Sequence, residues 1–433
     1  MRLGIMLLAA LCVTSGHAHA APAALTLERA VAQALARAPE VLAASAEAAA
    51  QRARIRQARA AYMPRVDLDV SYLVRWPRNK IDLDTSTIPI PGVNIALPSV
   101  DDYHHFIAEL SVKYRLLDLA RGARIDAARA GSQGADEQAA VTRAQVAFRV
   151  RTSFLAALYA RDLQGIADAA LTQARREAKR AELRSKVGAG NLLSLAQARV
   201  RVANLEAQKT RAKLELERRL GEIASLLGLQ ATPTIEGDLA RLDKNVSGSL
   251  AGHPALRALT AGERAQRLLA KSMRRGFVPT IGLMASVSAQ YPRALMLELG
   301  PVVQGGVQLS WSIFDGLLRS GRARQAEAKA RALSAQRRAT LQNLERELAG
   351  AQVRWRKARA NLASAKQVLE HNKVYLRVAR AARDSGAGTS LDVHNAELNL
   401  DRARIAIQRA RFDGALARAQ MQLIYGIAAG ATR

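Results

Sequence analysis

The sequence predicts a mainly α-helical chain with a transmembrane β part, built by internal duplication. Three observations carry this: four segments of alternating apolar and polar residues, two long proline-free stretches, and the same order of landmarks in each half.

The chain opens with one basic residue, Arg2, an apolar run from Leu3 to Val13, and an A-x-A arrangement at Ala18-His19-Ala20. That order predicts a secretory signal peptide over residues 1–20. The single cysteine, Cys12, follows Leu11 inside the apolar run, where a lipoprotein signal requires a small residue. Its loss with the signal removes disulfides, thiol catalysis and Cys-ligated zinc from consideration.

The duplication shows once the prolines are aligned. Pro39 to Pro64 reads "PEVLAASAEAAAQRARIRQARAAYMP", and Pro254 to Pro279 reads "PALRALTAGERAQRLLAKSMRRGFVP". Each is followed by alternating segments, then "LLD" ending at Asp118 or "IFD" ending at Asp315, a long helical stretch and a Gly-Ala-Gly turn. The expected organisation is a signal at 1–20, a first repeat at 21–228, a linker at 229–253 and a second repeat at 254–433. Each repeat reads helix, two strands, long helix, turn, helix.

In "RVDLDVSYLVRW", Arg65 to Trp76, the residues Val66, Leu68, Val70, Tyr72, Val74 and Trp76 share one parity, and all of the other parity except Leu73 are polar. Successive strand side chains face opposite ways, so one wall is apolar and the other wet. Similar alternation runs through Phe106–Leu116, Ile281–Tyr291 and Val303–Ile313. These lengths, 11 to 12 residues, suit tilted strands crossing a bilayer. A small soluble β domain alternates too. The aromatic residues favour the membrane, since 10 of the 17 fall within 62–118 or 277–315, as interfacial girdles require. Tyr72, Trp76, Tyr114, Tyr291 and Trp311 are the girdle candidates. The long Pro-rich connection after Trp76 is expected to face outward.

Four strands cannot close a barrel, and an open edge in lipid leaves unpaired backbone groups. Two copies would give eight strands and three would give twelve; twelve leave room for a water-filled lumen, so a homotrimer is expected.

From Arg121 to Lys186, and again from Leu317 to Ser385, no proline interrupts the chain, and at 1.5 Å per residue each stretch extends about 100 Å as a helix. In the second, Leu341, Leu344, Leu348, Ala351, Trp355, Ala358, Leu362, Ala365, Leu369, Asn372, Leu376 and Ala379 alternate steps of three and four. A strict 3.5-residue period predicts supercoiling against a neighbouring helix. Leu391, Leu398, Ile405 and Phe412, with their copies Leu193, Val200, Ala207 and Leu214, predict the seam of the returning helices.

The formal charge is +28, which raises nucleic-acid binding. The arginines, however, are spread among Glu and Ala at helical spacings without a basic block, and the export signal argues the same way, so no nucleic-acid partner is expected. No H-E-x-x-H, G-x-S-x-G, P-loop or G-x-G-x-x-G motif occurs, so neither an enzyme nor a cofactor is expected. "DDYHH" at Asp101 to His105 has ligand residue types, yet adjacent histidines cannot easily face one ion, and a metal-free loop is expected.

Taken together, "LTLERAVAQALARAPEV", the "MP" and "VP" before the strands, "SIFDGLLRSGR" and "GAGTSLDVHNAELNL" resemble the TolC-like outer-membrane factor family over essentially the whole mature chain. The resemblance implies a homotrimer with a twelve-stranded outer-membrane β-barrel continuing into a long periplasmic α-helical barrel, in a Gram-negative bacterium. It implies an exit duct of a tripartite efflux or type I secretion system, working with a periplasmic adaptor and an inner-membrane pump of RND or ABC type, and seated in outer-membrane lipid. The family's acidic ring at the periplasmic mouth falls on Asp392; its second acidic position is Asn395 here, which departs from the pattern. Asp392 is alternatively a helix cap. Arg380 and Arg383, just before the second turn, are candidates for holding a closed state by pairing across helices, and the resemblance implies adaptor docking at the turns of Gly188 and Gly190 and of Gly386 and Gly388. His394 lies close to Asp392 and is a candidate for titration near neutral pH. The competing reading is an exported or cytosolic basic coiled-coil binding protein, which explains charge and heptads but not the paired aromatic-rich strands.

Overall fold

Proline, capping and periodicity set the elements nearly where the sequence places them. The computed structural model describes residues 24–77, 80–81, 100–101, 103–187, 192–242, 246–291 and 299–427. The elements run α1 (Leu27–Arg37), α2 (Pro39–Ala60), β1 (Arg65–Val74), β2 (Lys80–Ile81), β3 (Val100–Asp101), β4 (His104–Leu117), α3 (Ala120–Lys186) and α4 (Leu192–Leu227). They continue with α5 (Pro254–Arg275), β5 (Thr280–Tyr291), β6 (Gly300–Ser310), α6 (Leu318–Asp384) and α7 (Ser390–Ile424). Both long helices have 67 residues. The proposed signal peptide, the turn bearing Gly188 and Gly190, and most of the connection between β1 and β4 lie outside the described residues. No described helix is long and apolar enough to cross a membrane.

The chain divides into two units, each gathered from both halves. One takes Met1–Leu42, Thr142–Leu250 and Leu344–Arg433; the other takes Ala43–Val141 and Ala251–Asn343.

The second unit contains a four-stranded antiparallel sheet in the order β1-β4-β5-β6. The strands have 10, 14, 12 and 11 residues, a wider spread than the alternation suggests. Register turns each strand's alternation into two faces. Leu68 stands opposite Leu110, Leu110 opposite Val287, and Val287 opposite Val303, so one apolar row crosses the whole sheet. All four of these side chains are exposed. An apolar face left uncovered across a sheet marks contact with lipid or a partner. The long edges of β1 and β6 have no strand beside them among the described residues.

The junctions from sheet to long helix are built alike. The Asp118 carboxylate accepts from the Ala120 amide at 2.9 Å and opens α3. The buried Arg121 guanidinium donates to the carbonyls of Ala61, Arg115 and Leu116, at 3.1, 2.8 and 2.8 Å, and covers the Tyr62 ring at 4.3 Å. In the other half the Asp315 carboxylate accepts from the Arg319 amide at 3.2 Å, and Arg319 donates to the Gly276 carbonyl and faces the Phe277 ring at 5.7 Å. One guanidinium satisfying several carbonyls is a geometry lysine cannot copy.

In the first unit a core forms where α1, α3, α4 and α7 meet, around Phe154, Leu155, Leu158, Ile223 and Ala415. Thr26 caps α1 by accepting from the Arg29 amide. Along α6 every residue of the expected seam from Leu341 to Ala379 is buried or half-buried, with Ala351 fully enclosed. Alanines at these contacts permit close helix approach.

The seam expected on α7 requires correction. Leu391 is exposed, Leu398, Ile405 and Phe412 are half-buried with Phe412 against the core, and the fully buried stripe runs beside them through Val393, Ala396, Leu400, Ala403, Ile407 and Ala410. On α4 the expected Leu193, Val200, Ala207 and Leu214 are all exposed, while Leu205 and Ile223 are buried. On α4 both stripes are apolar and carry side chains of similar size, and only one of them is enclosed within the chain.

Candidate functional site at the hairpin turn between α6 and α7

The turn arises from a stop signal at Gly386 and a start signal at Thr389, three residues apart. Beyond Asp384 the Gly386 amide returns to the Arg383 carbonyl at 3.2 Å, with Gly386 at φ 82°, a region that favours glycine. The Gly388 amide reaches the Ala382 carbonyl at 2.9 Å; a Cβ there would lie 3.0 Å from the Ala382 Cβ and 3.1 Å from the Arg383 nitrogen. Thr389 then caps α7.

Asp392 completes a capping box. The Thr389 amide donates to Asp392 Oδ2 at 2.9 Å, the Thr389 hydroxyl donates to the same oxygen at 2.6 Å, and the Asp392 amide donates to Thr389 Oγ1 at 3.2 Å. These bonds hold the exposed Asp392 carboxyl below its ordinary range. A lowered carboxyl supports the fold above its unfolded value, so the cap is intact at neutral pH and weakens as pH falls through the lowered value. Asn395, one turn on, is exposed.

The two expected arginines do pair across helices, with carboxylates the sequence did not single out. Arg380 donates to Glu397 on α7 at 2.8 Å. The other Glu397 oxygen accepts from Arg201 on α4. Glu397 is 4% exposed, so a buried carboxylate joins α4, α6 and α7 through two guanidiniums. Arg383 donates to Glu177 on α3 at 3.3 Å and to its neighbour Asp384 at 3.0 Å. Burial, followed by the positive charge of Arg201, lowers the affinity of the half-buried His394 for its proton; Glu397 opposes this. Burial raises the Asp401 carboxyl. Arg380 and Arg383 are thus brought to carboxylates, whereas Asp392 and Asn395 are not brought to either arginine. Glu397 falls on the buried stripe of Val393, Ala396 and Leu400, which is not the seam expected from the sequence and where an unpaired charge would not be tolerated.

The girdle candidates mark both ends of the sheet. Tyr72 stands opposite Phe106, which stands opposite Tyr291, with Trp76 beyond. Eight residues down β4, Tyr114 stands opposite Leu283, and Trp311 just past β6 donates its indole N–H to the Phe277 carbonyl at 3.1 Å. Eight residues span about 26 Å along a strand, or about 20 Å vertically at a tilt near 40°, against an outer-membrane apolar band about 25 Å tall. At the upper end Tyr72 OH and His104 Nδ1 are hydrogen-bonded at 2.7 Å, and Tyr103 meets the His104 ring edge-on. Among the described residues no group of three or more His, Cys, Asp or Glu could hold a metal ion.

A family comparison matches residues 30–229 and 245–426 to the outer membrane efflux protein family. The chain belongs to that family. Its site is the outer membrane, and its fold, mainly helical with a small antiparallel sheet, is that of solved outer-membrane channels. The CusC channel is similar at a TM-score of 0.77 with 16% identity, covering 94% of this chain and 93% of that one. VceC of Vibrio cholerae gives 0.72 and 20%, covering 92% and 96%. CmeC of Campylobacter jejuni gives 0.73 and 17%, covering 94% and 87%. No curated protein matches the chain.

Proposed function

We propose that three copies of this TolC-like efflux protein close a twelve-stranded barrel in the outer membrane, continuing into a helical barrel in the periplasm. The carrying observation is the sheet itself: an exposed apolar face bounded by two unpaired edges, which lipid and neighbouring copies would satisfy. The exposed stripe Leu193, Val200 and Leu214 on α4 supports contact with another copy in the same way. The duplicated chain, with repeats at 21–228 and 254–433 joined by a linker at 229–253, then supplies two hairpins and two long helices per copy.

In this reading the protein is the exit duct of a tripartite efflux system, receiving cargo from an inner-membrane RND or ABC pump through a periplasmic adaptor. Type I secretion is the same duct with a protein cargo. The turns at Gly188 to Gly190 and Gly386 to Gly388 serve as docking points for the adaptor. Asp392 and Asn395 border the mouth, with Arg380 and Arg383 holding the hairpins through Glu397 and Glu177. Asp392 serves two roles, capping α7 and supplying one carboxylate per copy to the mouth. In planar bilayers the purified protein is expected to conduct, and Asp392→Ala to lower its preference for cations. Conduction with unchanged selectivity in the variant would remove the gate role while leaving the duct intact.

A further inference from the structure

The polar face of the sheet is ordered by charge. Asp69 stands directly opposite Glu109, and four residues along the strands Arg65 stands directly opposite Lys113. Cross-strand pairs of like charge weaken a sheet, and this sheet holds two of opposite sign. The neighbouring strand offers them only Ser288 and Met284. Asp67 lies between and binds Arg65 at 2.8 Å. Asp69, Glu109 and Lys113 take no ion pair among the described residues. Arg115, two residues beyond Lys113 on the same face, adds to the basic end, though Asp118 lies 3.7 Å from it.

A second observation falls between the two levels. Ser111 stands opposite Asp67 and two residues from both Glu109 and Lys113; it is 3% exposed, and its hydroxyl has no hydrogen-bond partner. A buried hydroxyl with no protein partner calls for an ordered water, which places water beneath the charged level of the polar face.

We propose that the barrel lumen is a bipolar, rectifying pore, with an acidic belt of Asp69 and Glu109 above a basic belt of Arg65 and Lys113. This rests on the reading of three copies enclosing the polar face. The ligand class at the acidic belt is the hydrated inorganic cation, held by the field and not chelated, since the described residues include no group of donors suited to a metal. The belts lie about 13 Å apart along the strands. The Debye length is about 10 Å at 0.1 M salt and about 3 Å at 1 M, so the belts act separately in dilute salt and are screened in concentrated salt. Fixed charges of opposite sign in series enrich ions under one voltage polarity and deplete them under the other.

The test is the current–voltage curve of the protein in planar bilayers, with equal KCl on both sides for rectification and a KCl gradient for the reversal potential. Wild type is expected to rectify about twofold at 0.1 M and to become linear at 1 M, following the screening length. Asp69→Asn with Glu109→Gln removes repulsion, so folding is not at risk; it should give a near-linear curve and a reversal potential moved toward anions. Lys113→Gln should move the reversal potential the other way. The helical mouth is common to all variants, so differences among them belong to the sheet. A linear wild-type curve at 0.1 M, or rectification unchanged in the double variant, overturns the bipolar pore alone. A protein that never conducts overturns the duct reading and this one with it.

Discussion

Glu397 shows how a single residue ties three helices. Its carboxylate is enclosed among Val393, Ala396 and Leu400, and only the guanidiniums of Arg201 and Arg380 make that burial tolerable. Removing one member of a buried ion pair costs about 3 kcal/mol or more, because the remaining charge stays buried. The exposed pair Arg409 and Asp413, at 3.1 Å on one face of α7, is worth about 0.4 kcal/mol by comparison. Glu397→Ala is therefore expected to lower the denaturant midpoint of the protein in detergent well below that of Asp413→Ala. Equal midpoints would show that Glu397 is solvated. The sequence concealed this residue because it lies among many Glu and Arg at helical spacings, and nothing local distinguishes a partner 196 positions away from one four positions away.

At the scale of elements, the long helices were legible because nothing interrupts them: the expected start at Arg121 and the observed start at Ala120 differ by one residue. The seam on α6 was legible because its large and small apolar residues share one stripe. Ala351, fully buried on that seam, leaves no room for growth, so Ala351→Leu is expected to cost about 2 kcal/mol by overpacking. The same change at the exposed neighbour Ala349 should cost nothing, and thermal unfolding followed by circular dichroism compares the two. The seam of α4 was misplaced, and that of α7 shifted, for a physical reason. Periodicity reports that a stripe is apolar, not which neighbour covers it, and the exposed stripe of α4 holds Leu193 and Leu214 while its buried one is anchored by Leu205 and Ile223.

At the scale of the whole molecule, the edges of β1 and β6 predict assembly. The proposed mature chain is free of cysteine, so cysteines can be placed singly. Val70→Cys on β1, combined in turn with Val303→Cys, Gly305→Cys or Val307→Cys on β6, keeps both thiols on the apolar face. One combination should yield a covalent trimer on a non-reducing gel, released by reductant. Ladders without a trimer limit would show open association instead of a closed ring.

The central pairing of the sheet joins Phe106 to Tyr291, and Leu110 to Val287, across α3, α4 and the segment that follows. A polypeptide exported from its N-terminus would therefore present its first hairpin, β1 with β4, while the far edge of β4 is still unpaired, because β5 and β6 follow only after more than half of the chain. Until then the edge of β4 that will meet β5 is open to pairing with other chains. Messages truncated before β5 should yield material destined for proteolysis, not half a pore.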